Sequence, residues 1–371
     1  KNKFEIKIKK NQLVKFSYKK NKKKNTILLS KPLPKIFNKK FFSLDDGKIK
    51  FKTISKNKNS IVGRSINNCI IKPNKGVNIP GSIYDNKIQE KTYLKYFKIF
   101  KKNKIDAVGL SFVQNKNIIL KIKKKYPDLI LVSKIENSEG LKNAEEISKN
   151  SDAIMIDRGD LSAEIGDEKL YEAINKISLS CKKFGRPLIM ATENLETFYK
   201  NNNPSRNDIV SLGFSKQINS DIIMLSEETA ISLKWKKIFR WLKNFLKSYE
   251  TKGKIINSKN IFWEISEFVK DHTLVIFSKK GLMFNKIFQN NINNRVIVFT
   301  DTKKTFNLAR YYKNAICVFT KKFHNKNINK FYLSYLRKYK NLIFKNTNYA
   351  FLITISFPKK GSSANSLSLI N

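Results

Sequence analysis

The sequence predicts an α/β protein in which part of a TIM-type (β/α)8 barrel lies between a small β-rich domain and an open-sheet α/β domain. Three patterns support this expectation. Short segments of alternating apolar and polar residues occur within residues 1–82, short apolar runs alternate with helical segments over 83–250, and that second arrangement returns over 255–371. At 371 residues, with 41% hydrophobic side chains, the chain is long enough for two or three domains with buried cores.

The first domain carries the signals of short strands. Apolar and polar residues alternate over residues 4–8 and 49–52, which places the apolar side chains of each segment on one face. Turn residues follow at 45–47 and 80–81. Residues 1–82 are therefore expected to form an all-β module.

The second domain contains apolar, β-branched runs, each followed by a helical pattern such as that of residues 168–184. Such strands are typical of a parallel sheet that is buried on both faces. Repeated βα units favour a barrel, and a doubly wound sheet stays open as an alternative, although no Gly-x-Gly-x-x-Gly or P-loop motif follows a strand. The predicted strands are 105–113, 129–135, 153–156, 188–192 and 221–225.

The third domain repeats the alternation of strands and helices. Because its apolar runs are again short and separated by helical segments, we expect an open α/β sheet. The predicted strands are 273–277, 295–299, 315–319 and 349–355.

Lysine gives the chain a formal net charge of +46, from 75 Lys and Arg residues against 29 Asp and Glu. The lysines are spread over nearly every segment, and only eight residues are arginine, the better reader of phosphates and bases. We interpret the excess as a solvated lysine coat and predict no dedicated nucleic-acid binding. Nucleic-acid binding stays an alternative that would require a single basic face.

The cysteines at Cys69, Cys181 and Cys317 lie far apart, without the spacing of a zinc site. This pattern indicates reduced thiols and a cytoplasmic location. No apolar run approaches the ~20 residues of a membrane-spanning helix. The sequence also does not begin like a signal peptide, so we expect no membrane association.

Charged residues follow neighbouring strands of the predicted barrel. Lys134 and Glu136 end one run, and because they are two residues apart their side chains point the same way. Asp157 and Asp160 follow the next run. The carboxyl ends of barrel strands open on one mouth, which is where such folds hold their sites. Carboxylates with open geometry suit Mg²⁺, so we predict a Mg²⁺ site there.

Other groups at this mouth suit an anion. Gly159 lets backbone N–H groups approach a ligand closely, and Thr192 adds a hydroxyl at the end of a further run. The two histidines lie away from the predicted strand ends. A site with a metal, a lysine and amides stabilises charge, as phosphoryl transfer or enolate chemistry requires. A plain ion pair between Lys134 and Glu136 is the alternative.

Several motifs resemble the pyruvate kinase family, in that family's order. They are Ser133-Lys134-Ile135-Glu136-Asn137, Met155-Ile156-Asp157-Arg158-Gly159-Asp160-Leu161, Met190-Ala191-Thr192, Pro204-Ser205-Arg206, and Met224-Leu225-Ser226-x-Glu228-Thr229-Ala230. Residues 75–81 resemble the segment that returns from the lid domain to the barrel, and residues 361–365 resemble the C-terminal ending.

The resemblance implies a β-barrel lid domain at residues 1–82, a catalytic barrel from its third helix onward at 83–250, and a C-terminal α/β domain at 255–371. It implies transfer of the phosphoryl group of phosphoenolpyruvate to ADP, giving pyruvate and ATP. Mg²⁺ is the implied cofactor. The family's K⁺ ligands and remaining active-site arginine are expected upstream of Lys1. A homo-oligomer, a tetramer by resemblance, is the implied assembly.

The resemblance also assigns roles. Lys134 would stabilise the transferring phosphoryl group and the enolate oxygen, and Glu136 and Asp160 would hold Mg²⁺. The amides of Gly159 and Asp160, with the Thr192 hydroxyl, would bind the substrate carboxylate.

Three acids depart from the family pattern: Asp157, Glu193 and Glu227. Each raises the electrostatic cost of binding a polyanion. They motivate the alternative of a catalytically weakened pseudo-enzyme that acts by binding. A related barrel that acts on carbon–carbon bonds is a further alternative, against which residues 1–82 weigh because such a barrel need not carry a lid.

Overall fold

The computed structural model describes residues 5–18, 26–29, 40–45, 47, 49–57, 59–73, 76–81, 86–248, 269, 272–278, 281–289, 294–323, 328–345, 347–356 and 364–370. Their strands form an N-terminal β-rich part, a central parallel sheet and a C-terminal mixed sheet. The predicted α/β fold class is therefore confirmed. The domain boundaries predicted near 82 and 250 lie outside the described residues, as do Lys75 and residues 361–363 of the motifs, so the exact division stays a prediction.

The N-terminal part consists of eight short strands among the described residues. Six of them form one sheet in the order β3-β2-β6-β5-β4-β8, and β1 pairs with β7. The rings of Phe16, Phe42 and Phe51 pack together at centroid distances of 5.2 to 5.3 Å and form its core. The strands are β1 (Ile6–Ile8), β2 (Leu13–Ser17), β3 (Thr26–Leu28), β4 (Phe41–Leu44), β5 (Ile49–Lys56), β6 (Ser60–Ser65), β7 (Cys69–Ile71) and β8 (Val77–Asn78).

The central part alternates strands and helices. Its strands are β9 (Ala107–Leu110), β10 (Ile130–Ile135), β11 (Ala153–Asp157), β12 (Leu188–Ala191) and β13 (Ile222–Met224). Its helices are α1 (Asn86–Lys102), α2 (Lys116–Lys125), α3 (Ser138–Lys142), α4 (Ala144–Asn150), α5 (Arg158–Ile165), α6 (Leu170–Lys183), α7 (Glu196–Asn201), α8 (Arg206–Gln217), α9 (Glu227–Ala230) and α10 (Trp235–Ser248), with a 3-10 turn at Asp167–Lys169.

These five strands are parallel and lie in chain order, β13-β12-β11-β10-β9. Sequential parallel pairing through helical crossovers is the arrangement of a barrel wall, whereas a doubly wound sheet reverses its strand order. Fully buried apolar side chains, including Ile119, Ile154 and Ile177, join the helices to the sheet. Four of the five strands fall inside the predicted runs, and β11 extends one residue past its run, to Asp157.

Two predicted runs extend past the end of their strand into a left-handed backbone conformation. The strand expected over 105–113 ends at Leu110, and the one expected over 188–192 ends at Ala191. Phe112 and Thr192 have positive φ angles of 54° and 60°, a left-handed backbone that cannot continue a strand. Hydrophobic pattern alone does not report this change of backbone direction.

The C-terminal part is a five-stranded sheet in the order β16-β15-β14-β17-β18. All four predicted strands are present. The sequence pattern does not predict β18, which pairs antiparallel with β17, because this strand carries few β-branched residues. The strands are β14 (Thr273–Phe277), β15 (Val296–Thr300), β16 (Ala315–Phe319), β17 (Ala350–Ser356) and β18 (Ala364–Ile370), and the helices are α11 (Leu282–Gln289), α12 (Lys303–Ala309), α13 (Ile328–Lys338) and α14 (Lys340–Ile343).

Hydrogen bonds join the central and C-terminal sheets. The Tyr312 hydroxyl donates to the Gly185 carbonyl at 2.9 Å. The Asp221 carboxylate accepts from the backbone N–H of Leu188 at 3.0 Å and of Lys313 at 3.4 Å.

Within the described ranges, no helix has the length and apolar content to cross a bilayer.

Candidate active site

Three neighbouring strands bring the predicted site residues together at the carboxyl-terminal end of the barrel sheet. β10, β11 and β12 are adjacent and parallel, with Ile135 opposite Ile156 and Asp157 opposite Ala191. Because the strands run in the same direction, the residues at their carboxyl ends lie side by side.

The Lys134 ammonium lies between two carboxylates. It forms an ion pair with Glu136 and lies 3.3 Å from Asp157 Oδ2. Glu136 is 1% exposed, and its Oε2 accepts a hydrogen bond from the Phe112 N–H at 2.5 Å. Lys134 and Glu136 therefore share one side of the chain, as their spacing predicts.

Three carboxylates at this edge can reach one cation. Glu136, Asp157 and Asp160 each place an oxygen within 4.8 Å of the others. Hard oxygen ligands of this kind suit Mg²⁺, so the donor set fits the ion predicted from the sequence. Asp157 was not among the ligands that the resemblance implied, and the structure places it in the same group.

Burial and the ion pair shift the pKa values of Glu136 and Lys134. Desolvation raises the pKa of Glu136 from 4.5 to about 7, although the Lys134 ammonium opposes the rise. Desolvation also acts to lower the pKa of Lys134, but the carboxylates of Glu136 and Asp157 outweigh it and the pKa is raised. Lys134 is thus a cation at neutral pH, while Glu136 is poised near its own titration point.

Thr192 lies at the centre of a small hydrogen-bond network. Its hydroxyl oxygen accepts from the backbone N–H groups of Arg158 at 3.1 Å and Gly159 at 3.3 Å. The same hydroxyl lies 3.2 Å from Asp157 Oδ1, to which it can donate. The Asp160 N–H donates to that Oδ1 at 3.5 Å. The donors predicted to bind a substrate carboxylate therefore lie together around Asp157.

The sequence pattern alone assigns no role to Arg158. Its guanidinium binds the Thr192 carbonyl through Nε at 3.1 Å and through Nη2, and it also reaches Asn194 Oδ1 at 2.9 Å and Ser211 Oγ at 2.5 Å. It thereby fixes a loop in which Thr192 and Glu193 both have positive φ. Its position directly after a barrel strand, in a chain with eight arginines, was the available signal.

Two buried glutamates hold the surrounding segments in place. Glu228 accepts from the backbone N–H of Ser226 at 2.7 Å and of Leu195 at 3.2 Å, which ties the end of β13 to the loop after β12. Glu164 accepts from the Gly81 N–H at 2.7 Å, which ties the N-terminal part to helix α5. Backbone donors engage both carboxylates, so their contacts are structural.

The known proteins to which this chain is similar include pyruvate kinases. A family model described as pyruvate kinase, barrel domain, matches residues 1–233. A pyruvate kinase of Candida albicans is 33% identical over 196 residues, which are 52% of this chain and 39% of the relative. A pyruvate kinase of Dictyostelium discoideum is 36% identical over 182 residues, 48% of this chain and 36% of the relative.

The fold has a solved counterpart. The crystal structure of pyruvate kinase from Pyrobaculum aerophilum matches 100% of this chain and 83% of that chain, with a TM-score of 0.77 and 18% sequence identity. The matched segment spans about two fifths of the length of the curated relatives, 39% and 36% in the two above. Because the family model covers more than half of the residues, including every strand that bears the site, the chain belongs to the pyruvate kinase family.

Proposed function

We propose that the protein is a phosphotransferase that moves the phosphoryl group of phosphoenolpyruvate to ADP, as a pyruvate kinase. The observation that carries the proposal is the placement of the Lys134 ammonium beside the carboxylates of Glu136 and Asp157, with the Thr192 hydroxyl on the other side of Asp157. A fixed cation, acidic oxygens and hydrogen-bond donors at one strand edge are the parts that phosphoryl transfer uses.

In the proposed reaction, the phosphorus–oxygen bond of phosphoenolpyruvate breaks as the phosphoryl group bonds to a terminal oxygen of ADP. The enolate that remains takes up a proton from water at carbon and becomes pyruvate. Lys134 stabilises negative charge on the phosphoryl group and on the enolate oxygen because its ammonium is held in place by two carboxylates. The amides of Gly159 and Asp160, with the Thr192 hydroxyl, orient the substrate carboxylate.

Glu136 and Asp160 are the proposed Mg²⁺ ligands. When bound, Mg²⁺ supplies charge that neutralises substrate oxygens. It would also hold Glu136 ionised, because a nearby cation favours the charged form of a carboxyl whose pKa burial has raised to about 7.

The test is phosphoenolpyruvate-dependent ATP formation by the full chain with Mg²⁺, compared with Lys134→Met. We expect the substitution to lower kcat by at least about 100-fold, because a fixed charge that acts in the transition state is lost. Lys116→Met is the control, since Lys116 forms an exposed ion pair with Glu146. Equal rates for Lys134→Met and the unmodified chain would exclude Lys134 from the reaction.

The pseudo-enzyme alternative predicts binding of phosphoenolpyruvate without turnover, and the comparisons with known proteins give it no support. A homo-oligomer, expected from the family to be a tetramer, and a cytoplasmic location complete the proposal. Light scattering of the purified chain tests the assembly.

A further inference from the structure

Asp157 reaches the same groups that are proposed to bind the substrate. Its Oδ2 lies 3.3 Å from the Lys134 ammonium, and its Oδ1 lies 3.2 Å from the Thr192 hydroxyl and 3.5 Å from the Asp160 N–H. The Asp157 carboxylate therefore contacts the Lys134 ammonium, which is proposed to stabilise the phosphoryl group. It also contacts two of the groups that are proposed to bind the substrate carboxylate. Asp157 is 9% exposed, so water screens these contacts little.

The remaining donor is engaged within the same network. The Gly159 N–H donates to the Thr192 hydroxyl oxygen at 3.3 Å, and the single proton of that hydroxyl has Asp157 Oδ1 and the Ala191 carbonyl oxygen, at 2.7 Å, as acceptors. A substrate carboxylate that enters this site must take donors from these internal acceptors. It must also approach a negative charge that lies among those donors.

We infer that Asp157 is a specificity-determining residue that occupies the anion-binding groups of the site and competes with the substrate carboxylate for them. This inference rests on the proposed function. It also implies that a cation binds before the anionic substrate. A cation near Glu136, Asp157 and Asp160 offsets the repulsion between the Asp157 carboxylate and the substrate. The inference also predicts a gain of substrate affinity on substitution, which is the reverse of what loss of a binding residue produces.

Asp157→Asn is the informative variant. Asparagine has nearly the same shape and keeps a side-chain oxygen for the N-terminus of helix α5, where Asp157 is the capping residue. It removes only the negative charge. Asp157→Ala removes both charge and cap, so its thermal midpoint should fall while that of Asp157→Asn changes little. A purely structural role would not lower KM in either variant.

Glu193→Gln is the matched control. Glu193 is an exposed carboxylate next to Thr192, so its substitution removes the same charge from the rim of the site. The experiment measures KM and kcat for phosphoenolpyruvate at saturating Mg²⁺, together with calorimetric binding of phosphoenolpyruvate. We expect Asp157→Asn to lower KM about tenfold, the effect of one like charge at contact distance. Glu193→Gln should change KM by less than about threefold, because solvent screens its charge.

The outcomes separate the two proposals. A KM that Asp157→Asn leaves unchanged or raises, with turnover intact in the unmodified chain, overturns this inference alone. An equal fall in KM for Glu193→Gln also overturns it, because the effect would then be general charge and not the contacts of Asp157. Absence of both binding and turnover in all variants overturns the proposed function and this inference together.

Discussion

Lys134→Met should destabilise the protein increasingly above neutral pH, because the pH-dependent part of its effect on stability acts through Glu136. In the unmodified chain the pKa of Glu136 is raised from 4.5 to about 7. The folded state therefore binds a proton that the unfolded state has released, so stability falls as pH rises between about 4.5 and 7 and is level above that. Without the ammonium the pKa of Glu136 rises further, and the fall continues to higher pH.

The size of this loss of stability depends on how far the pKa of Glu136 differs between the two folded proteins. A difference of one pKa unit corresponds to about 1.4 kcal/mol. Below pH 7 Glu136 is protonated in both folded proteins, so this effect is absent. Above pH 7, and up to the higher pKa of Glu136 in the variant, the variant should lose about 1.4 kcal/mol per pH unit relative to the unmodified chain.

Urea unfolding at pH 6, 7, 8 and 9, followed by far-ultraviolet circular dichroism, measures this difference. The double variant Lys134→Met/Glu136→Gln has no carboxyl at position 136 to titrate, so its stability relative to the unmodified chain should lack the extra decline above pH 7. Lys116→Met, which breaks an exposed ion pair, should show no pH-dependent loss. A difference between Lys134→Met and the unmodified chain that is the same at pH 6 and pH 9 would refute the coupling.

Three other substitutions test the structure around the site. Arg158→Lys should cost about 2 kcal/mol and raise KM for phosphoenolpyruvate, because lysine cannot reproduce the buried fork of hydrogen bonds; urea unfolding and steady-state kinetics measure both effects. Burial raises the pKa of Asp221 from 3.8 to about 6, so stability should fall by about 3 kcal/mol as pH rises through that window, and Asp221→Asn should remove the fall in a pH series of unfolding midpoints. Gly140→Ala places a Cβ 2.4 Å from the Val113 carbonyl oxygen and should cost about 1–3 kcal/mol by thermal unfolding, whereas Gly76→Ala, with its nearest atom at 3.8 Å, should be neutral.

Raised KM is expected for Arg158→Lys and lowered KM for Asp157→Asn, although both residues lie beside Thr192. The difference follows from the charge of each side chain and from the part of Thr192 that it contacts. Arg158 fixes the loop through the Thr192 carbonyl, while Asp157 faces the hydroxyl that is proposed to bind substrate. Opposite kinetic changes in adjacent residues would be hard to obtain from a general loss of structure.

The sequence by itself determined the order of the strands along the chain and which charged residues follow neighbouring strands. Apolar β-branched runs placed all five barrel strands, because a strand that is covered on both faces needs apolar side chains throughout. The two-residue spacing of Lys134 and Glu136 was enough to place both on one side of the chain, because side chains alternate along a strand. These features depend only on local periodicity.

Tertiary structure decided what could not be expressed as a local pattern. The left-handed backbone at Thr192, the clamp of Arg158 on the loop carbonyl, and the contacts of Asp157 with both Lys134 and Thr192 depend on residues that are 23 to 35 positions apart in the chain. The sequence showed Asp157 only as an extra acid. Its carboxylate acquires a specific meaning once three strands bring their ends together, because hydrogen bonds and charge interactions depend on distance in space and not along the chain.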